Sequence, residues 1–202
     1  MIVCSIQLQA QTIGKWMGLP PVPVEMPAFG NMKNVEGKTF TSAQLLTSSV
    51  FNIENFNPKV DTRELQFHSL TWQNATVSDG IVTTDHAGNT PAIVISAVYA
   101  ANPQWMSGKL EFNFYGDAEV YVDGEKKITY TGHNGAEAVK RDCPLEWVPG
   151  KHVIIVKSLA NGDNNKLFSA SYTANADFTE APVTFTLSPE RGKNILDVLN
   201  GK

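Results

Sequence analysis

The sequence has little cysteine, little excess charge and no long apolar run after its first residues, and each shortage closes off a class of function. Two cysteines, Cys4 and Cys143, occur in 202 residues, with no Cys-x-x-Cys and no Cys/His array. Neither a disulfide framework nor a zinc site is encoded. Without the N-terminal segment Cys143 stands alone and reads as a small buried hydrophobe. The net charge is −4, and adjacent basic residues occur only as Lys126-Lys127 and Lys140-Arg141. No basic field exists to gather phosphates, so nucleic acid is not an expected partner. Beyond residue 10 nothing approaches the ~18 consecutive apolar residues of a membrane span.

Catalytic constellations are missing too. No Gly-x-Ser-x-Gly run is present to raise a nucleophile on a strand-to-helix elbow. His68, His86, His133 and His152 lack His-x-x-x-His or His-Glu spacing and read as surface residues of strands or turns. Asp117, Glu119, Asp123 and Glu125 cluster as a glycosidase pair would require, yet Asp117 and Asp123 sit at turns and Glu119 should face water opposite Val120. The loop Asn161-Gly162-Asp163-Asn164-Asn165 is rich in oxygen but carries one carboxylate, which suits a hydrated hairpin turn better than calcium. No cofactor is implied, and the chain reads as a non-enzyme. Asn74-Ala75-Thr76 fits the glycosylation sequon, a match short enough to arise by chance.

What the sequence does have is period-two alternation. Residues 108–131, GKLEFNFYGDAEVYVDGEKKITYT, read as a β-meander whose Asp123-Gly124 suits a two-residue type I′ turn. Strands are expected at Leu65–Ser69, Thr71–Val77, Gly80–Thr84, Ala92–Ala100, Lys109–Tyr115, Glu119–Val122, Lys127–Thr131, His152–Ser158, Leu167–Thr173 and Val183–Leu187. That many half-buried strands predict an all-β fold, a jelly-roll β-sandwich, with one short N-terminal helix where Thr41 or Ser42 caps Ala43, Leu45 and Leu46.

The organisation is read in four parts. Residues 1–10 look like a signal peptide remnant, apolar but without a basic start, which points to a periplasmic or secreted protein. Residues 11–36 form an extended proline-rich leader; Gly18–Phe29 carries Pro20, Pro21, Pro23 and Pro27 and should run over a surface as a strap or linker. Residues 37–188 are the sandwich, long enough to fold as a single unit. Residues 189–202, PERGKNILDVLNGK, read as a linker or the start of a following domain, with Ile195, Leu196, Val198 and Leu199 in need of a partner.

Two resemblances follow. Tyr115–Lys127 followed by Trp147–Val156 resembles the galactose-binding-type and protective-antigen-type jelly rolls, where a strand closed by an Asn/Asp-Gly-Lys turn is followed by a strand introduced by Leu-x-x-Gly-x-His. Pro189–Lys202, taken with Lys15-Trp16 and Leu19–Val24, resembles the non-catalytic N-terminal extension of secreted prolyl-oligopeptidase-type serine peptidases. The first implies architecture far more than ligand. The second implies an accessory domain packed on a following β-propeller, its partners being downstream domains of the same polypeptide.

The alternative is a carbohydrate-binding module with a glycan as partner. Of the four tryptophans, Trp16 and Trp147 read as core, burial of each being worth about 2–3 kcal/mol. Trp72, at a strand end, and Trp105, beside Pro103 and Met106 in a loop, are the candidates to stack on a sugar ring.

Overall fold

The computed structural model describes residues 10–24, 36–38, 40–47, 70, 72–86, 90–133, 136–160, 165–175 and 183–187. The expected strand at Leu65–Ser69, most of the 161–165 loop, nearly all of the signal-like segment and the 189–202 tail lie outside the described residues.

In chain order the elements are β1 (Gln11–Thr12), β2 (Met17–Gly18), β3 (Val22–Pro23), α1 (Ser42–Thr47), β4 (Gln73–Asn74), β5 (Thr76–Ser78), β6 (Ile81–Thr83) and β7 (Ala92–Asn102), followed by β8 (Met106–Phe114), β9 (Ala118–Val122), β10 (Glu125–Tyr130), β11 (Val139–Trp147), β12 (Gly150–Ala160), β13 (Lys166–Ala174) and β14 (Thr184–Thr186). They form two sheets and one short helix, the all-β jelly-roll sandwich that the alternation predicts. The first sheet runs β11-β8-β13-β6-β5, with β1 also on β13; the second runs β10-β9-β12-β7-β2-β4, with β3 and β14 also on β7. Both Asp-Gly hairpin turns, Asp79-Gly80 and Asp123-Gly124, have positive φ at both residues, as a two-residue turn that matches strand twist requires.

Even-numbered residues of β8 alternate inward as the sequence pattern predicts. Leu110, Phe112 and Phe114 meet Phe168 of β13 and Val120, Ile154 and Val156 of the other sheet. Phe112 stacks on Phe114 with ring centroids 5.5 Å apart, and Trp16 meets the Phe168 ring edge-on at 4.9 Å. The Trp16 indole N–H donates to Ile13 O at 2.9 Å, so this large ring is buried without an orphaned donor. The described part of the leader, residues 10–24, is built into the sandwich: Ile13 and Trp16 fill the inter-sheet core, while Leu19 and Val24 cover the outer face of the second sheet.

That outer face departs from the half-buried expectation. β7 and β12 are buried on both sides, because Leu45 and Leu46 of α1 and the leader pack on Ile93, Ile95, Tyr99, Val153 and Ile155. α1 starts with a capping box: Gln44 N–H donates to Thr41 Oγ1 at 3.3 Å while Gln44 Oε1 accepts from Thr41 N–H at 2.9 Å. Burial of this face also holds Tyr99, whose hydroxyl pKa is pushed up to about 12.

β11 is an element that alternation did not reveal, because Pro144 interrupts it. Proline cannot donate to a ladder, and β11 tolerates it as an edge strand paired with β8 alone. On the solvated face of this sheet Glu111 receives Lys140 and, at 3.3 Å, Lys109. The Lys140 contact holds the Glu111 carboxyl below its ordinary value. No helix among the described residues is long and apolar enough to cross a membrane.

Two charged side chains sit under α1. Lys157 donates to Leu46 O at the helix C-terminus, lies 3.6 Å from Glu119 Oε2, and both are buried. Glu119 also accepts from the Tyr121 hydroxyl at 2.8 Å and from Lys126 at 3.4 Å. The expectation that Glu119 faces water is therefore corrected: the face opposite Val120 is covered by the helix.

Two outcomes follow from these pairs. Lys157→Ala should cost about 3 kcal/mol or more, since it strands a helix carbonyl and removes a cation from a buried carboxylate; the pair Lys157→Met with Glu119→Gln should recover part of that loss. Urea unfolding measures both, and a single variant as stable as the parent would show that the pair contributes nothing. A carboxyl with a depressed folded pKa stabilises above its ordinary value of 4.5 and loses that contribution as pH falls through the folded value. Glu111→Gln should therefore flatten the acid limb of the stability curve, read from urea midpoints between about pH 5 and about pH 2.5.

Candidate functional site

The four carboxylates that cluster in sequence are dispersed by the fold. Asp117 is buried and its Oδ1 accepts the His133 backbone N–H at 2.7 Å. Glu119 belongs to the ion pair under α1, and Glu125 is exposed beside Lys127 at 2.7 Å. Asp123 fastens its own turn to β12: Oδ1 accepts from Val153 N–H at 2.9 Å and Oδ2 lies 2.6 Å from His152 Nδ1. None of these faces another across an open cleft in the way a paired-carboxylate mechanism needs.

His152 corrects a second expectation. It is buried, and not on the surface, because its ring completes a stack on Trp147 with centroids 4.7 Å apart and planes 8° from parallel. Trp147 stacks in turn on Tyr172 at 5.9 Å. Val148 O can only accept, so His152 Nε2–H donates to it at 2.9 Å. This histidine clamps the β11–β12 turn to the Asp123 turn. Cys143 is buried on β11, and desolvation pushes its thiol up to about 11, which removes it as a nucleophile near neutral pH. No group of three or more His, Cys, Asp or Glu among the described residues could hold a metal ion.

Two surface features remain, at opposite ends of the sandwich. At the first, the β7–β8 and β11–β12 turns lie side by side, since Met106 pairs with Trp147. Trp105 is 43% exposed and Val148 53%, the exposed large hydrophobics among the described residues, and Pro103 and Pro149 beside them are exposed as well. Buried Asn102 holds both turns by donating to Gln104 O at 2.8 Å and Val148 O at 3.0 Å. The result is a rigid apolar ridge with Trp105 at its tip. Trp72, the other sugar-stacking candidate, is half-buried and packs on the outer apolar cluster under the leader, so the two tryptophans do not share a surface.

At the second end, the leader and the β5–β6 hairpin leave a cleft of about 140 Å³ between the sheets, bounded by Gly18–Pro21, Gln73–Thr76, Val82–Asp85 and two residues of β7, Val94 and Ser96. Its walls are fixed by backbone bonds: Leu19 N–H to Ile95 O, Ala75 N–H to Trp16 O and Thr84 N–H to Asn165 O, each 2.8–2.9 Å. Ser96 is buried and its hydroxyl has no hydrogen-bond partner. Asn74 of the sequon is exposed at the cleft mouth on β4. The pattern of polar residues along 73–85 is the only trace of this cleft in the sequence, because its parts come from four separated segments.

No protein-family model and no curated protein matches the chain. Among solved structures it is similar to the Kluyveromyces marxianus β-glucosidase in complex with glucose, at 15% identity and TM-score 0.43, over 52% of this chain and 14% of that one. It is also similar to a family 35 carbohydrate binding module from an environmental isolate, at 13% identity and TM-score 0.34, over 55% of this chain and 81% of the module. A third likeness is to the GH31 α-xylosidase of Xanthomonas citri, at 11% identity and TM-score 0.41, over 88% of this chain and 18% of that one. Identities and scores this low leave function to be argued from the residues themselves.

The buried thiol of β11 gives a check on the packing of that edge strand. In a Cys4→Ser variant the one remaining thiol should resist an aromatic disulfide reagent at about pH 8 and react stoichiometrically once urea unfolds the chain. Rapid labelling of the native protein would place Cys143 at the surface.

Proposed function

We propose that this chain is a non-catalytic carbohydrate-binding module whose Trp105 ridge stacks on a sugar ring. The single observation behind the reading is the ridge itself. A tryptophan left 43% exposed beside exposed Val148, on turns held rigid by Asn102, offers a flat apolar platform at little ordering cost. Dispersed carboxylates, a clamped His152 and a protonated Cys143 suit binding without catalysis. Accessory packing on downstream domains of a serine peptidase rested on the 189–202 tail, and nothing among the described residues adds to it. A periplasmic or secreted location belongs with the glycan reading, as does the accessible Asn74 sequon.

A glycan array probed with the intact protein is the test. Wild type should bind at least one glycan class, and Trp105→Ala should weaken that binding by about 1–2 kcal/mol, or roughly 5- to 30-fold, without lowering the thermal midpoint. Trp72→Phe should leave it unchanged. An array with no bound glycan, or binding indifferent to Trp105→Ala, would remove the proposal.

A further inference from the structure

The orphaned hydroxyl of Ser96 points to a second site. Its residue sits in the middle of β7, opposite Gly18 of β2 on one side and Val156 of β12 on the other. Residues directly opposite in an antiparallel pair share a face, so Ser96 and Gly18 both turn toward the space between the sheets. Gly18 has no side chain there. A Cβ at that position would press on Ala75 Cβ at 3.3 Å, and Gly18, Ala75 and Ser96 all line the cleft. A serine on the inner face of a central strand, buried and unpartnered, is unfavourable for folding alone. In a cleft that opens to the surface, the missing partner can be supplied by a ligand.

We propose that this cleft binds a single uncharged sugar unit, with Ser96 bonding a ring hydroxyl at its floor. The chemistry of the walls selects the class. Asn74, Thr76 and Thr83 offer neutral donors and acceptors, and the Thr83 hydroxyl is already oriented by its bond to Thr76 O at 3.4 Å. Asp85 is the one charged residue of the lining; it accepts from hydroxyls and repels phosphates and carboxylates, and no lysine or arginine lines the cleft to attract them. Val82 and Val94 give the C–H face of a ring its apolar contact. At about 140 Å³ the cleft lies below the ~300 Å³ at which sites for larger ligands begin, so it takes one unit and not a chain. It also stands apart from the ridge: Ser96 and Asn102 are separated by about 20 Å along β7. The site is therefore independent of the Trp105 reading.

The experiment titrates the isotopically labelled intact protein with the methyl glycosides of glucose, galactose, mannose, xylose and arabinose, each up to about 50 mM, above the millimolar range expected of so small a ligand. At least one should shift the backbone amide signals of Gly18, Thr76, Thr83 and Ser96 saturably, in wild type and equally in Trp105→Ala. Ser96→Ala should weaken that binding about tenfold while holding or raising the thermal midpoint, because it deletes a hydroxyl with no partner. A lowered midpoint would assign Ser96 a structural bond and overturn the proposal. So would shifts that persist undiminished in Ser96→Ala, equal shifts with glycerol, or no shift at these residues with any of the five glycosides.

Discussion

The pairing of β7 with β12 is the constraint on which the rest of the structure depends. Each strand is 11 residues long, and they pair in register from Ala92 with Ala160 to Asn102 with Gly150. Both are apolar on both faces, so the sheet they centre cannot leave either face in water. One face meets the other sheet across the sandwich. The second needs a cover, and that cover is the leader together with α1. Lys157, on the covered face of β12, would be a buried lone charge there, and its position under the helix end gives it Leu46 O and Glu119 as partners.

The same pairing leaves one edge of β7 free, and the chain closes it in pieces. β3, β2 and β14 dock in succession on β7, each only two or three residues long. Short strands blunt an edge without building a continuous ladder. Where β2 passes Ser96 it does so with Gly18, whose missing Cβ leaves room for the close approach of Ala75. The cleft lies beside this piecewise-closed edge, with Gly18 and Ser96 both in its lining. The ridge at the other end has a different origin: long strands β7, β8, β11 and β12 end together there, and their turns bring Trp105 and Val148 level.

Much of the fold was legible because its signals are local. The alternation of β8, the Asp123-Gly124 turn and the Thr41 cap each depend on residues a few positions apart, and all three are present. β11 was hidden by Pro144, since only an edge position excuses a proline and edges are not visible in sequence. Glu119 and His152 were misplaced for a related reason. Alternation tells which residues share a face, but it does not tell which face another segment will cover.

By itself the sequence determined the class of fold, its strand periodicity and its hairpin turns, because these follow from backbone sterics and residue chemistry at short range. Trp105 could be picked out as exposed from its loop context alone. Only the tertiary structure decided that Trp72 packs beneath the leader, that His152 clamps two turns, and that Gly18, Asn74, Thr83 and Ser96 border one cleft. Those outcomes depend on contacts between segments tens of residues apart, and no local pattern encodes which segments will meet.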